Sequence, residues 1–282
     1  MQPPVLSANT GFLFADRPFL QRIVAAGRAG FDAVEFHDEW RRESVADLRA
    51  ALREAGSGGR PLPVMGLNVR MGDQVGCAAV PGDEERAAED ADEALDAAAA
   101  LGARAVHVLA GTVEATAETL RTFRANLAAT CARAERAGGD APFILIEPLC
   151  PAARETYPLR TVAEAARLVR DVAQLCDLNA GRGTGRLRIM FDLFHVTGVG
   201  DDPVEAMRAH APLVGHVQIA DPVTRAEPDG LAPLVRALRD AGYAGAFGAE
   251  YAPTGRTEDG LGWMAALGRS GPALPRPQGL RA

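Results

Sequence analysis

From one end to the other, short and strongly apolar runs alternate with longer stretches rich in Ala, Arg, Glu and Leu. Short apolar runs bounded by turn formers read as buried parallel strands, and the longer stretches carry the 3.6-residue period of amphipathic helices. The pattern predicts strands over 5–8, 33–36, 64–68, 105–109, 143–147, 188–192, 214–219 and 246–250, with helices that include 17–29, 83–101, 114–137, 161–176 and 230–241. Gly30, Gly102 and Gly242 stand where left-handed caps would close three of those helices. Thr161 and Glu164 have capping-box spacing, which places a helix start between them. Strands alternating with helices in this number are the rhythm of a single-domain α/β fold, the closed (β/α)8 TIM barrel. A doubly wound open sheet shares the rhythm, but it usually follows its first strand with a Gly-rich phosphate turn, and SANTGFLF at 7–14 is not one.

Four consecutive late strands finish in ligand-type side chains: Glu147, Asp192, Gln218 and Glu250. The C-terminal strand ends of a barrel converge on one mouth, so these four are expected to point at a common centre. A single Asp or Glu closing a strand is more often a helix cap; four in succession favour a shared site. Three carboxylates in a small pocket need a cation or protons to offset their repulsion. Oxygen donors suit Mg²⁺ or Mn²⁺ better than a thiolate-type zinc site does, so a divalent ion of that kind is the expected cofactor. His195, three residues beyond Asp192, is placed as a substrate contact, and Arg225, in the loop after Gln218, as a clamp for a substrate carboxylate. His216 shares a strand face with Gln218 and is expected beside it. Glu35 and His37 at the second strand, with Asn68 and Asp73 at the third, are expected to form the opposite wall. His107 and His210 read as structural histidines.

Composition narrows the function classes. With 282 residues, 48% of them hydrophobic, the chain can bury one large core, assigned to 1–269. The Pro- and Gly-rich run 270–282 reads as a tail, disordered in preference to docked on a neighbouring subunit. The absence of a long apolar stretch and of a signal-peptide pattern at the first residues predicts a cytoplasmic protein with no membrane partner. A formal charge of −7 argues against nucleic acid as a partner. Four scattered cysteines without a C-x-x-C pair indicate neither a zinc knuckle nor a disulfide framework.

Several segments resemble the hydroxypyruvate isomerase family, within the wider group of xylose-isomerase-like barrels: PFLQRIVAAGRAGFDAVEF at 18–36, LNVRMGD at 67–73, ALGARAVHVLAGT at 100–112, LIEPL at 145–149, FDLFHV at 191–196, GHVQIAD at 215–221 and GAEYAPTGRTEDGLGWM at 248–264. The resemblance implies that Glu147, Asp192, Gln218 and Glu250 are metal ligands, with Glu147 and Glu250 also the acid/base pair, and that His195 and Arg225 bind substrate. It further implies a homodimer or homotetramer that isomerises a small hydroxy-carbonyl substrate, a hydroxypyruvate-like or 2-oxo-tetronate-like acid or sugar, through an enediolate. Epimerase and dehydratase chemistry on the same barrel are the alternatives, ahead of metal-dependent endonuclease activity and of a non-catalytic barrel. The segments after Glu147-Pro148 and after Glu227-Pro228 depart from the family pattern, so the ligand set matches while the substrate walls differ.

Overall fold

Each apolar run forms a strand, and the strands close into one barrel. The structure is a computed structural model that describes residues 3–138, 141–180 and 185–269; the run 270–282 lies outside the described residues. The strands are β1 (Leu6–Asn9), β2 (Ala33–Phe36), β3 (Val64–Asn68), β4 (Ala105–His107), β5 (Phe143–Ile146), β6 (Leu187–Asp192), β7 (Val214–Ile219) and β8 (Phe247–Ala249). They are all parallel and in sequence order, with β1 bonded to both β2 and β8. Around them run α1 (Phe19–Arg28), α2 (Val45–Ala55), α3 (Glu84–Leu101), α4 (Ala117–Ala137), α5 (Val162–Ala180), α6 (Leu193–Gly198), α7 (Pro203–His210), α8 (Ala232–Asp240) and α9 (Trp263–Ala266).

The local signals act as expected at several ends. The Glu164 amide donates to Thr161 Oγ1 at 3.2 Å and the Thr161 amide donates to Glu164 Oε2 at 3.0 Å, the reciprocal box that opens α5. Gly102 closes α3 in the left-handed region at φ 67°. Four helices, α2, α6, α7 and α9, lie outside the stretches named from the pattern. Helix α2 had a legible signal, with Leu48, Ala51, Leu52 and Ala55 buried on one face. By contrast, α6 has 6 residues, α7 has 8 and α9 has 4, too few for a period to show.

Alternation divides the strands' side chains. Ile144, Ile146, Ile189, Phe191, Val217, Ile219 and Phe247 point outward and are fully buried in the main core, which they share with Phe123, Leu127, Val169, Val172, Val235 and Leu238 of the helices. Each such side chain contributes roughly 1.5–3 kcal/mol of burial. Inside the barrel, Ala105, Leu145 and Met190 form a separate small apolar cluster. Above it each strand sends one polar residue toward the C-terminal mouth: Asn9, His37, Asn68, His107, Glu147, Asp192, Gln218 and Glu250. Strands β5 and β8 end one residue before Glu147 and Glu250, so these two carboxylates stand where the chain leaves the sheet. Among the described residues no helix is long and apolar enough to cross a membrane.

Close packing of α1 on α2 depends on Gly27, where an added Cβ would lie 2.1 Å from the Ala55 carbonyl oxygen. A glycine-to-alanine change in an unobstructed helix gains about 1 kcal/mol, whereas forced overpacking costs about 1–3 kcal/mol. Gly27→Ala is therefore expected to lower stability by about 1 kcal/mol in urea denaturation; a gain would show that the two helices can part freely.

Candidate active site

The mouth holds three buried carboxylates in different circumstances. Glu250 has three hydrogen-bond partners. Its Oε1 accepts from Asn9 Nδ2 at 2.7 Å and from His37 Nε2 at 3.2 Å, and its Oε2 accepts from Arg225 Nη2 at 2.9 Å. Burial alone would raise its carboxyl, but the His37 hydrogen bond and the Arg225 charge outweigh it and hold the group at about 2. Asp192 divides its labour: Oδ1 accepts from the Phe194 amide at 2.8 Å and so caps α6, while Oδ2 is buried with no hydrogen-bond partner. The cap reading of this residue is thus realised on Oδ1, which leaves Oδ2 over. Burial, with a contribution from Glu250, pushes the Asp192 carboxyl up to about 8. Glu147 is also raised well above the usual carboxylate range, by burial and then by the charges of Glu250 and Asp192. Burial is the main force raising Asp192 and Glu147, the neighbouring charges add to it, and the His37 and Arg225 contacts hold Glu250 down.

Arg225 spans two of these groups. Its guanidinium carbon lies 4.9 Å from the Phe12 ring centre and 5.1 Å from that of Phe194, and Nη2 is 3.6 Å from Asp192 Oδ2. The loop that delivers it is held by Asp221 Oδ1, which accepts from the Val223 and Thr224 amides, and Arg225 itself sits in the left-handed region at φ 58°. A non-glycine residue there is uncommon, and tertiary contacts must hold it. Its Nε is buried without a hydrogen-bond partner among the described residues.

The histidines sort by tautomer. The Cys150 amide donates to His195 Nδ1 at 3.3 Å, so the neutral ring carries its proton on Nε2, which faces Asp192 Oδ2 at 3.5 Å and Glu147 Oε1 at 3.7 Å. Burial and the Arg225 charge lower this imidazole to about 3. Glu147, Asp192 and His195 offer atoms all within 4.8 Å of one another, but a protonated Nε2 donates rather than ligates. His107, set aside from sequence as structural, is also in the mouth. Its Nδ1 donates to Asn68 Oδ1 at 3.2 Å, which leaves a bare Nε2 3.7 Å from Glu147 Oε2. Burial keeps it neutral, at about 4.

The expected opposite wall is largely internal support. The Asn68 amide is spent on His107 and on Met71 Sδ, and Asp73 is exposed, away from these contacts. His37 does face the mouth, on Glu250. Glu35 lies below it, 3% exposed, with both oxygens engaged: Oε1 accepts from Ser7 Oγ and from His216 Nε2, and Oε2 accepts from Gln218 Nε2 at 3.0 Å. Burial opposes its ionisation, yet the His216 charge and these bonds keep the carboxyl below its ordinary value. Asn9 and His107 were missed in the sequence. Counting in twos from Ser7 and from Ala105 would have brought both to the mouth.

A xylose isomerase-like TIM-barrel model matches residues 23–267. The chain belongs to that family. A Streptomyces coelicolor protein carrying a provisional hydroxypyruvate isomerase name is 33% identical, covering 88% of this chain and 90% of its own. A Cupriavidus necator protein named 2-oxo-tetronate isomerase is 30% identical, covering 93% and 97%. A crystal structure from Brucella melitensis, described as an AP endonuclease of family 2, superposes with a TM-score of 0.83 at 29% identity over 93% of this chain and 98% of that one. The enzyme class that the named sequence relatives share is isomerase, and this xylose isomerase-like chain falls within it.

The residues present fit a divalent cation. Among the described residues Glu147 Oε1, Asp192 Oδ2 and Gln218 Oε1 are buried oxygens with no hydrogen-bond partner, and unpaired oxygens cost free energy in a dry site unless a positive charge meets them. The raised Asp192 carboxyl carries a stability consequence. The folded, metal-stripped chain keeps a proton that the unfolded chain releases near pH 4, so folding loses stability as pH rises from about 4 to about 8. Glu250 works in the opposite sense, but its contribution is lost only as pH falls from about 4.5 toward 2. Thermal melts of the metal-stripped chain are expected to show a lower midpoint at pH 8 than at pH 5, with the slope reduced in Asp192→Asn; an unchanged slope in that variant would assign the effect elsewhere.

Proposed function

We propose that this chain is a divalent-metal-dependent isomerase of a small hydroxylated 2-oxo acid or sugar of the hydroxypyruvate or 2-oxo-tetronate kind. The observation that carries the reading is the set of three buried oxygens, on Glu147, Asp192 and Gln218, without a hydrogen-bond partner among the described residues, together with a Glu250 held ionised by its partners. Together these four residues would hold Mg²⁺ or Mn²⁺, which when bound supplies positive charge that stabilises the oxyanion of an enediolate. The relatives' names support isomerisation as the outcome and acids of this size as the substrate class.

The chain's own groups then divide the work. Glu250, held ionised by His37 and Arg225, takes the proton from the substrate carbon beside the carbonyl, and the electron pair of that C–H bond moves to the carbonyl oxygen. Phe12 and Phe194 flank Arg225 and restrict water around the reacting carbons. The His195 Nε2 proton points at the same space and donates to a substrate oxygen. Arg225 Nε, a buried donor with no partner among the described residues, supports a carboxylate on the substrate. Return of a proton from Glu147 or Glu250 to the former carbonyl carbon, with the proton of the adjacent hydroxyl passing to the oxyanion as that hydroxyl becomes the new carbonyl, completes the isomerisation; return to the original carbon from the opposite face would give an epimer.

Proton NMR in D₂O with Mg²⁺, offering hydroxypyruvate, 2-oxo-tetronate and several ketoses, is expected to show solvent exchange with formation of the isomer. Chelation should abolish both. Glu250→Gln should slow exchange by about 100- to 10,000-fold, the usual contribution of a positioned acid or base. Undiminished exchange in that variant removes Glu250 from the proton-transfer role, and loss of water from the substrate would assign a lyase. Saturating metal at 100 to 1,000 times its dissociation constant should also stabilise the fold by about 3–4 kcal/mol, read as a rise in melting temperature.

A further inference from the structure

Below the mouth the barrel interior is divided. One side is the apolar cluster of Ala105, Leu145 and Met190; the other holds Ser7, Glu35 and His216. Room for this polar side comes from Gly248, where an added Cβ would lie 2.0 Å from Glu35 Oε1 and 2.8 Å from His216 Nε2. A buried carboxylate is costly, and a packed apolar residue would fill the place at lower cost. The Glu35 contacts point to what it does. Gln218 is the one member of the four-residue set whose two terminal atoms differ in sign: its amide can turn either NH₂ or oxygen toward the mouth. An ionised carboxylate only accepts hydrogen bonds, so Glu35 Oε2, 3.0 Å from Gln218 Nε2, engages the NH₂ end alone. That leaves Gln218 Oε1 buried and partnerless.

We propose that Glu35 is a positioning residue that fixes the Gln218 amide with its oxygen toward the mouth, turning a neutral side chain into a committed cation ligand. Ser7 and His216 anchor Glu35 from β1 and β7, so the orientation is set across the barrel rather than along one strand. The inference rests on the metal-dependent reading above, and the test separates the two.

Mn²⁺ is titrated calorimetrically into the metal-stripped full chain, for the natural protein, Glu35→Gln, Gln218→Glu and the double variant. A glutamine at 35 both donates and accepts, so it no longer selects one end of the Gln218 amide, and affinity should fall by about 10- to 100-fold, the usual effect of losing a partner behind a metal ligand. In the double variant the position-218 carboxylate has two equivalent oxygens and needs no selection, while the new amide at 35 can donate to it. Its affinity should return to the natural level or above it. A merely structural Glu35 predicts the reverse, a double variant at least as weak as Glu35→Gln. Natural-level binding by Glu35→Gln, or failure of the double variant to recover, overturns the proposal. Absence of Mn²⁺ binding by the natural protein overturns the metal reading and this inference with it. Should Glu35→Gln not fold, Gly248→Ala displaces Glu35 by contact alone and should weaken Mn²⁺ binding in the same direction; binding unchanged there counts against the proposal.

Discussion

Burial of three carboxylates in one dry pocket is the constraint around which the mouth is arranged. Glu147, Asp192 and Glu250 are each no more than 6% exposed, and water cannot screen them. The protein answers unequally. Glu250 receives Asn9, His37 and Arg225 and stays ionised, whereas Asp192 and Glu147 keep oxygens without donors and hold protons in the absence of a counter-charge. Two groups of one chemical type are thereby pushed to opposite ends of the titration range, the condition in which one can act as base and another as acid.

The scaffold makes this arrangement repeatable. Parallel strands in sequence order bring their C-terminal ends to one side, and strand alternation sends one polar residue from each into the mouth. Outward-facing residues of the same strands are buried against the helices, so the stability lost at the site is offset by an apolar layer that the site does not touch. The interior beneath the mouth is not uniform, and the Ser7–Glu35–His216 side lies directly beneath Gln218. Support of this kind is what gives ligand atoms one orientation instead of two.

Much of this was legible in the sequence. Eight apolar runs of strand length, separated by helical stretches, determine a parallel α/β architecture, because strands buried on both faces leave no other reading for such runs. Glu147, Asp192, Gln218 and Glu250 were visible because each interrupts an apolar run at its C-terminal end, and His195 because it follows Asp192 within one turn. The same local reading misplaced residues whose roles depend on a partner. His107 looked like a satisfied core histidine; its position beside Glu147 becomes apparent only when β4 and β5 are paired in register. Glu35 looked like a wall residue, yet its partners His216 and Gln218 lie 181 and 183 positions along the chain.

By itself, then, the sequence determined the order of the eight strands, the longer helices between them, the parallel α/β class and the positions of the four strand-end residues, since all of these follow from periodicities within a few residues of one another. Only the tertiary structure decided which carboxylate is ionised, which nitrogen of His195 and of His107 bears the proton, and which end of Gln218 faces the mouth. Those states depend on burial and on hydrogen bonds from residues distant in the chain, and closing the barrel is what brings such residues within reach of one another.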